Sequence, residues 1–293
     1  MLRIALPNKG RLADDAREVF ADAGLPIRAR SDRALTASLG DEFEALFVRA
    51  QDVPEFVADG AADAGVTGLD LVAESGRALD ALLDLEFGRC RLVVAARDDC
   101  GVSTLDDIVD TGRGAPRVAT VFPRLTRRFF ADAGRPIEVV PMSGAAEVAP
   151  HLGIADIVVD LTSTGSTLKV NGLHEVATVL ESSAHLVAAP ASTSSLTPAQ
   201  RRALDELVTA LTSVLRARGQ RYLMANVPRA ALDRVRTIIP GLNGPTVIDI
   251  LNGGDVVAVH AVAPAASIYR TIAALKSLGA KGILVTRIER LMP

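Results

Sequence analysis

Short apolar runs that stop at a glycine and give way to helical spacing recur along this chain, and that alternation points to a mostly parallel α/β sheet. Residues 2–6 read as a strand and Pro7-Asn8-Lys9-Gly10 as a turn. Leu12, Ala16, Val19, Phe20 and Ala23 then recur at helical spacing until Gly24 stops the helix. A second unit runs from strand 45–49 through Asp52 into a short helix ending near Gly60, and a third joins 64–68 to a helix starting near Asp70. Ligands of such sheets sit beyond the carboxyl ends of the strands, so Lys9, Arg49, Asp52, Thr67 and Asp70 are expected to face one cleft. Taken singly, each has an ordinary explanation: the cations are solvated, Gly68 turns the chain and Asp70 caps its helix.

The pattern restarts near residue 98. Segment 117–121 reads as a strand, 122–128 opens a basic stretch behind Phe122, 137–140 is a further strand, and 143–147 starts a helix carrying Glu147. The apolar strand 157–161 then carries Asp160 near its exit and meets the turn Thr162-Ser163-Thr164-Gly165-Ser166-Thr167. Closely spaced backbone N–H groups and hydroxyls ahead of a helix cradle phosphate without burying an unpaired cation. A carboxylate at the strand exit accepts hydrogen bonds from sugar hydroxyls, so the segment reads as a site for a phosphorylated sugar. The competing reading is an ordinary turn and helix cap.

Residues 190–195 read as a linker, and Thr197-Pro198 starts a long helix with the apolar stripe Leu204, Leu207, Val208, Leu211, Val214 and Leu215. After Gly219 the expected order is strand 222–227, helix 229–238, strand 246–251, strand 256–263, helix 266–278 and strand 282–288, the βαββαβ order of a ferredoxin-like domain.

A formal net charge of −3 gives no general attraction to nucleic acid or to an anionic membrane, and an aromatic content of 3% without tryptophan supplies few stacking platforms. No apolar run approaches the ~20 residues that cross a bilayer, and the chain opens directly on a strand without a leader, so a cytoplasmic protein is expected. Cys90 and Cys100 lack metal-ligand spacing and read as reduced thiols. His151, His174, His185 and His260 stand apart from one another and receive no role. No Ser/His/Asp or Cys/His constellation is evident.

The blocks 6–12 (Leu-Pro-Asn-Lys-Gly-Arg-Leu), 65–72 (Gly-Val-Thr-Gly-Leu-Asp-Leu-Val), 87–95 and 147–168 resemble the ATP phosphoribosyltransferases. So do the tail segments 222–224, 240–242, 245–246 and 279–284, which match the regulatory domain of that family's long form. The resemblance implies two periplasmic-binding-protein-like α/β lobes forming a catalytic cleft, plus a C-terminal ferredoxin-like, ACT-like regulatory domain. Lobe I would take 1–97 and 184–217, lobe II 98–183, and the regulatory domain 218–293. It implies a Mg²⁺-dependent transfer in which N1 of ATP attacks the anomeric carbon of phosphoribosyl pyrophosphate, with phosphoribosyl-ATP and pyrophosphate as products. No dedicated protein metal cage is expected; Mg²⁺ would enter with the phosphates.

By the same resemblance, Lys9, Arg49, Glu147 and Asp160 carry catalysis. Asp160, Leu161, Thr162, Ser163, Thr164, Gly165, Ser166 and Thr167 hold the sugar donor, and Gly10, Arg11, Asp52, Thr67, Gly68, Asp70 and Phe122 lie at ATP. Histidine would inhibit at Asn226, Leu242, Thr246 and Gly282, where an amide at 226 accepts a hydrogen bond without cancelling an amino group's charge, so weaker feedback is expected. A homodimer or homohexamer is implied, with neither nucleic acid nor membrane as partner. Two other classes stay open: a two-lobed solute-binding protein, which 57–70 also resembles, and an amino-acid sensor built on the C-terminal module.

Overall fold

A computed structural model describes residues 1–28, 34–109, 114–191, 195–251 and 254–292. Of the expected linker 190–195, residues 192–194 lie outside the described residues. The chain divides into two compact units, Met1–Asp205 and Glu206–Pro293.

The first unit contains two sheets. Strands β1 (Leu2–Pro7), β2 (Ile27–Arg28), β3 (Thr36–Leu39), β4 (Phe43–Val48), β5 (Ala64–Gly68) and β6 (Asp80–Asp84) lie in one sheet. Strands β7 (Cys90–Arg97), β8 (Arg117–Thr120), β9 (Glu138–Pro141), β10 (Ile157–Thr162) and β11 (Leu173–Ser182) form the other, in the order β11-β7-β10-β8-β9. Strand β12 (Ala184–Ala188) returns to the first sheet, whose order is β2-β3-β4-β1-β5-β12-β6. These are the two α/β lobes expected from the alternating pattern. Their helices are α1 (Ala13–Asp22), α2 (Val53–Ala58), α3 (Leu69–Ser75), α4 (Pro123–Asp132) and α5 (Ser166–Val170).

The chain enters lobe II earlier than expected, because β7 lies in the second sheet rather than closing the first. Its composition explains this place. Leu92, Val94 and Ala96 face one apolar cluster, which includes Ile157 and Val159, while Val93 and Ala95 face another with Val158. A strand buried on both faces belongs at the middle of a sheet, and β7 pairs antiparallel with both β10 and β11. The return falls at Ser183, between β11 and β12.

Glu147 begins no α-helix; it sits in a single 3-10 turn, Ala146–Val148. Ala145 enters this turn in the left-handed region, with a φ of 50°, so a helix cannot extend back through it.

The long helix is α6 (Pro198–Ala217). Thr197 and Gln200 form a reciprocal capping box at its start: the Gln200 N–H donates to Thr197 Oγ1 at 3.3 Å and the Thr197 N–H to Gln200 Oε1 at 3.0 Å. The boundary between the compact units falls within this helix, rather than after residue 217.

In the second unit, β13 (Gln220–Pro228), α7 (Leu232–Ile238), β14 (Thr246–Asp249), β15 (Val256–Pro264), α8 (Ile268–Ser277) and β16 (Lys281–Arg287) realise the βαββαβ order. The antiparallel sheet runs β14-β15-β13-β16. Alternate residues Leu223, Ala225 and Val227 of β13, with Val257, Val259 and Ala261 of β15, pack with Val235 and Leu275 from the two helices.

Candidate functional site

Parallel pairing brings the strand ends of lobe I together. Strand β1 runs parallel to β4 with Pro7 opposite Val48, and parallel to β5 on its other side. The turns carrying Lys9, Gly10 and Arg11, those carrying Arg49 and Asp52, and the exit at Thr67 and Gly68 therefore share one edge. Lys9 and Arg49 are exposed there, while Thr67 is buried and donates its hydroxyl to the Ala50 carbonyl at 2.8 Å.

Asp70 is buried at 3% exposure, with Oδ1 accepting the Ser182 hydroxyl at 2.6 Å. Ser182 Oγ also accepts the Asp70 N–H at 3.0 Å. This carboxylate ties the first turn of α3 to the strand just before the crossing between lobes.

Lobe II gathers the other half. Strands β8, β9 and β10 are parallel, so Phe122 and Glu147 follow, and the segment 160–167 closes and follows, neighbouring strand ends. Asp160 is partly buried, and burial first, then the charge and hydrogen bond of Glu147, push its carboxyl above the usual range; the Leu161 N–H, donating at 2.7 Å, works the other way.

The loop after Asp160 is organised from within. Buried Thr162 accepts the Gly165 N–H on Oγ1 at 2.8 Å, and Thr164 Oγ1 lies 2.9 Å from Ser166 Oγ. Gly165 takes a φ of 76° immediately before α5. An added Cβ there would lie 3.2 Å from Glu175 Oε1, so both its conformation and its surroundings favour glycine. The result is a row of hydroxyls and backbone amides at a strand exit, suited to an anion.

The lobes touch at this loop. Arg11 Nη1 donates to Ser163 Oγ at 3.2 Å and Nη2 to Cys90 Sγ at 3.3 Å, so Arg11, expected at ATP, reaches the hydroxyl-rich loop. Beside it lies a cavity of about 330 Å³ lined by Leu69, Arg89, Cys90, Arg91, Ser163, Glu181, Ser182 and Ser183.

Arg89, Arg91, Ser182 and Ser183 were not among the sequence candidates. A usable signal existed: Arg89 and Arg91 flank Cys90 at the start of an apolar strand, and pairing sets Arg91 opposite Thr162. Arg91 forms a bidentate pair with Glu175, at 2.7 and 2.9 Å. Phe122 departs from expectation in another way, since its ring is buried in the lobe II core and presents little surface to a nucleotide.

Both cysteines are free thiols. Among the described residues no three His, Cys, Asp or Glu side chains gather where they could hold a metal. His151 bonds the Asn171 carbonyl and His174 the Val102 carbonyl, so these imidazoles serve local structure. Among the described residues no helix is long and apolar enough to cross a membrane.

In the second unit, Asn226 and Gly282 come together: a Cβ on Gly282 would lie 3.3 Å from Asn226 Nδ2. Leu242 and Thr246 lie apart from that pair. Thr246 is on edge strand β14, separated from β13 by β15, and Leu242 is exposed in the preceding turn.

Fold and site together define a two-lobed α/β protein equipped for anionic ligands at its facing strand ends, with an appended ferredoxin-like module. Residues 49–213 match the family model of ATP phosphoribosyltransferase, and 217–290 match that of the HisG C-terminal domain. The ATP phosphoribosyltransferase of Gemmatimonas aurantiaca is 69% identical over the full length of both chains, and that of Natronomonas pharaonis is 49% identical, again over both full lengths. A solved ATP phosphoribosyl transferase complex from Thermotoga maritima contains a chain that superposes with a TM-score of 0.62 at 28% identity, covering 72% of this chain and 97% of its own. This chain belongs to the ATP phosphoribosyltransferase family, the transferases that open histidine biosynthesis.

Proposed function

We propose that the loop of residues 162–167 holds the 5′-phosphate of phosphoribosyl pyrophosphate, with Asp160 and Glu147 against its ribose and ATP entering from the lobe I edge. One observation carries this reading: the hydroxyl-rich loop and the carboxylate pair gather at neighbouring strand ends in lobe II, where Arg11 of lobe I bonds that loop. Transfer of the ribosyl group to N1 of ATP passes through a sugar-cation-like state, so the protein must position two ligands and manage charge rather than supply a nucleophile. Ionised Asp160 accepts ribose hydroxyls and favours positive charge developing on the ring, while Lys9, Arg49 and Arg11 face the polyphosphates.

The donor set fits a Mg²⁺ ion that arrives on the phosphates, because Glu147 and Asp160 supply two neighbouring carboxylates and magnesium retains much of its water and phosphate coordination. Bound there, it would neutralise charge on the leaving pyrophosphate. In the second unit, Asn226 and Gly282 form one side of the proposed histidine site, and assembly into a homodimer or homohexamer would provide the other. A cytoplasmic location follows from the same biosynthetic role.

Assay of the purified protein with ATP, phosphoribosyl pyrophosphate and Mg²⁺, with and without histidine, tests the scheme when paired with Asp160→Asn. The variant is expected to keep its fold and lose turnover. Wild-type kinetics in that variant would remove Asp160 from the reaction.

A further inference from the structure

Helix α4 lacks a cap of its own. Its N-cap is Phe122, whose side chain accepts nothing, and Pro123 follows at the first helical position. The cap comes from the other lobe: Glu74, near the end of α3, accepts the Arg124 N–H on Oε1 at 2.9 Å and the Leu125 N–H on Oε2 at 2.9 Å. A carboxylate in that position satisfies two otherwise unpaired donors and opposes the positive end of the helix.

Two further features fit the same seam. Gly76 closes α3 with a φ of 69°, and the Arg124 guanidinium occupies the space a Cβ would need. Leu71 and Ala73 of α3 pack against the lobe II core that holds Phe122, Leu125 and Phe130. Helix α3 thus starts at the proposed ATP residues Gly68 and Asp70 and ends docked in lobe II.

We propose that Glu74 is an interlobe positioning residue that sets the relation of the lobes on the ATP side of the cleft. The inference rests on the placement of ATP at the start of α3. The sugar donor's proposed phosphate loop and carboxylates belong to lobe II and meet lobe I through Arg11 at Ser163 rather than through this clasp, whereas Gly68 and Asp70 stand at the start of the helix that the clasp holds.

The test compares Glu74→Ala and Glu74→Gln with the parent enzyme. It uses the KM of each substrate, direct binding of phosphoribosyl pyrophosphate, thermal melting, and hydrogen exchange of segments 66–71 and 123–126 with and without ATP. Removing a charged two-point cap is expected to raise the ATP KM of Glu74→Ala about tenfold and leave donor binding within about twofold, with faster exchange at 123–126. Glu74→Gln, which keeps one acceptor oxygen, should fall between the two and guards against simple unfolding of the alanine variant.

A lower melting temperature with both substrate constants unchanged, while ATP still protects 66–71 in the parent, would reduce Glu74 to a helix cap and overturn the proposal. Equal loss for both substrates would also overturn it, as general loosening. If ATP fails to protect 66–71 in the parent, the ATP placement itself is wrong and the proposal falls with it.

Discussion

At Asp160, burial and the nearby Glu147 both favour the protonated acid over the ion, against the single Leu161 N–H that favours the ion. An acid whose folded-state pKa lies above its unfolded value costs stability as pH rises from the ordinary aspartate range through the raised one. Asp160→Asn should therefore melt higher than the parent at pH 7, with the difference vanishing below the ordinary aspartate value; a lower melting temperature at pH 7 contradicts this. The proposed role requires the opposite protonation state, since only an ionised carboxylate would accept hydrogen bonds from both ribose hydroxyls. The acid limb of kcat/KM for the sugar donor should fall as pH drops through the raised pKa, and Glu147→Gln, by removing a like charge, should move that limb to lower pH. An unmoved limb would assign it to another group. Thr164→Val tests the loop at the same scale: losing one hydrogen bond to a charged phosphate costs about 1.5–3 kcal/mol, so donor affinity by calorimetry should weaken roughly ten- to a hundredfold.

The loop works as an element because three features agree: strand β10 is anchored by buried Ile157, Val158, Val159 and Thr162, Thr162 folds back on Gly165, and Gly165 turns the chain into α5. Gly165→Ala disturbs the third, forcing a side chain into left-handed backbone beside Glu175. It should lower the melting temperature, at a cost of about 1 kcal/mol or more, and weaken donor binding in the same calorimetric assay. Unchanged values for both would mean that the turn does not depend on this glycine.

Much of this element was legible in the sequence, since an apolar run, an acid, clustered hydroxyls and a glycine are local signals. Glu147 was legible as a candidate but not in its 3-10 setting, because the alanines around it suggest helix while Ala145 takes a left-handed conformation. The central place of β7 was harder to foresee, since pairing with β10 and β11 reaches far along the chain. The burial of Asp70 against Ser182 was likewise out of reach, because the two residues stand 112 positions apart.

For the whole molecule, the alternation of strand, turn and helix was enough to indicate two α/β lobes and the βαββαβ tail. The crossing points between lobes were not legible in the same way: they depend on which sheet accepts a strand, and both sheets offer apolar neighbours. In the tail, Asn226 beside Gly282 offers an amide where an acid would neutralise a ligand's amino group. Asn226→Asp should therefore tighten histidine inhibition by about tenfold, measured as the inhibition constant, if an uncharged contact is replaced by a charge-assisted one. Unchanged or weaker inhibition would place the amino group elsewhere.

The central claim concerns where the sugar donor's phosphate rests, and a crystal structure of the protein with phosphoribosyl pyrophosphate tests it most directly. The account predicts the 5′-phosphate oxygens within hydrogen-bond distance of the amides and hydroxyls of residues 163–167, with Asp160 on the ribose. A donor bound in the cleft with that loop empty would contradict it.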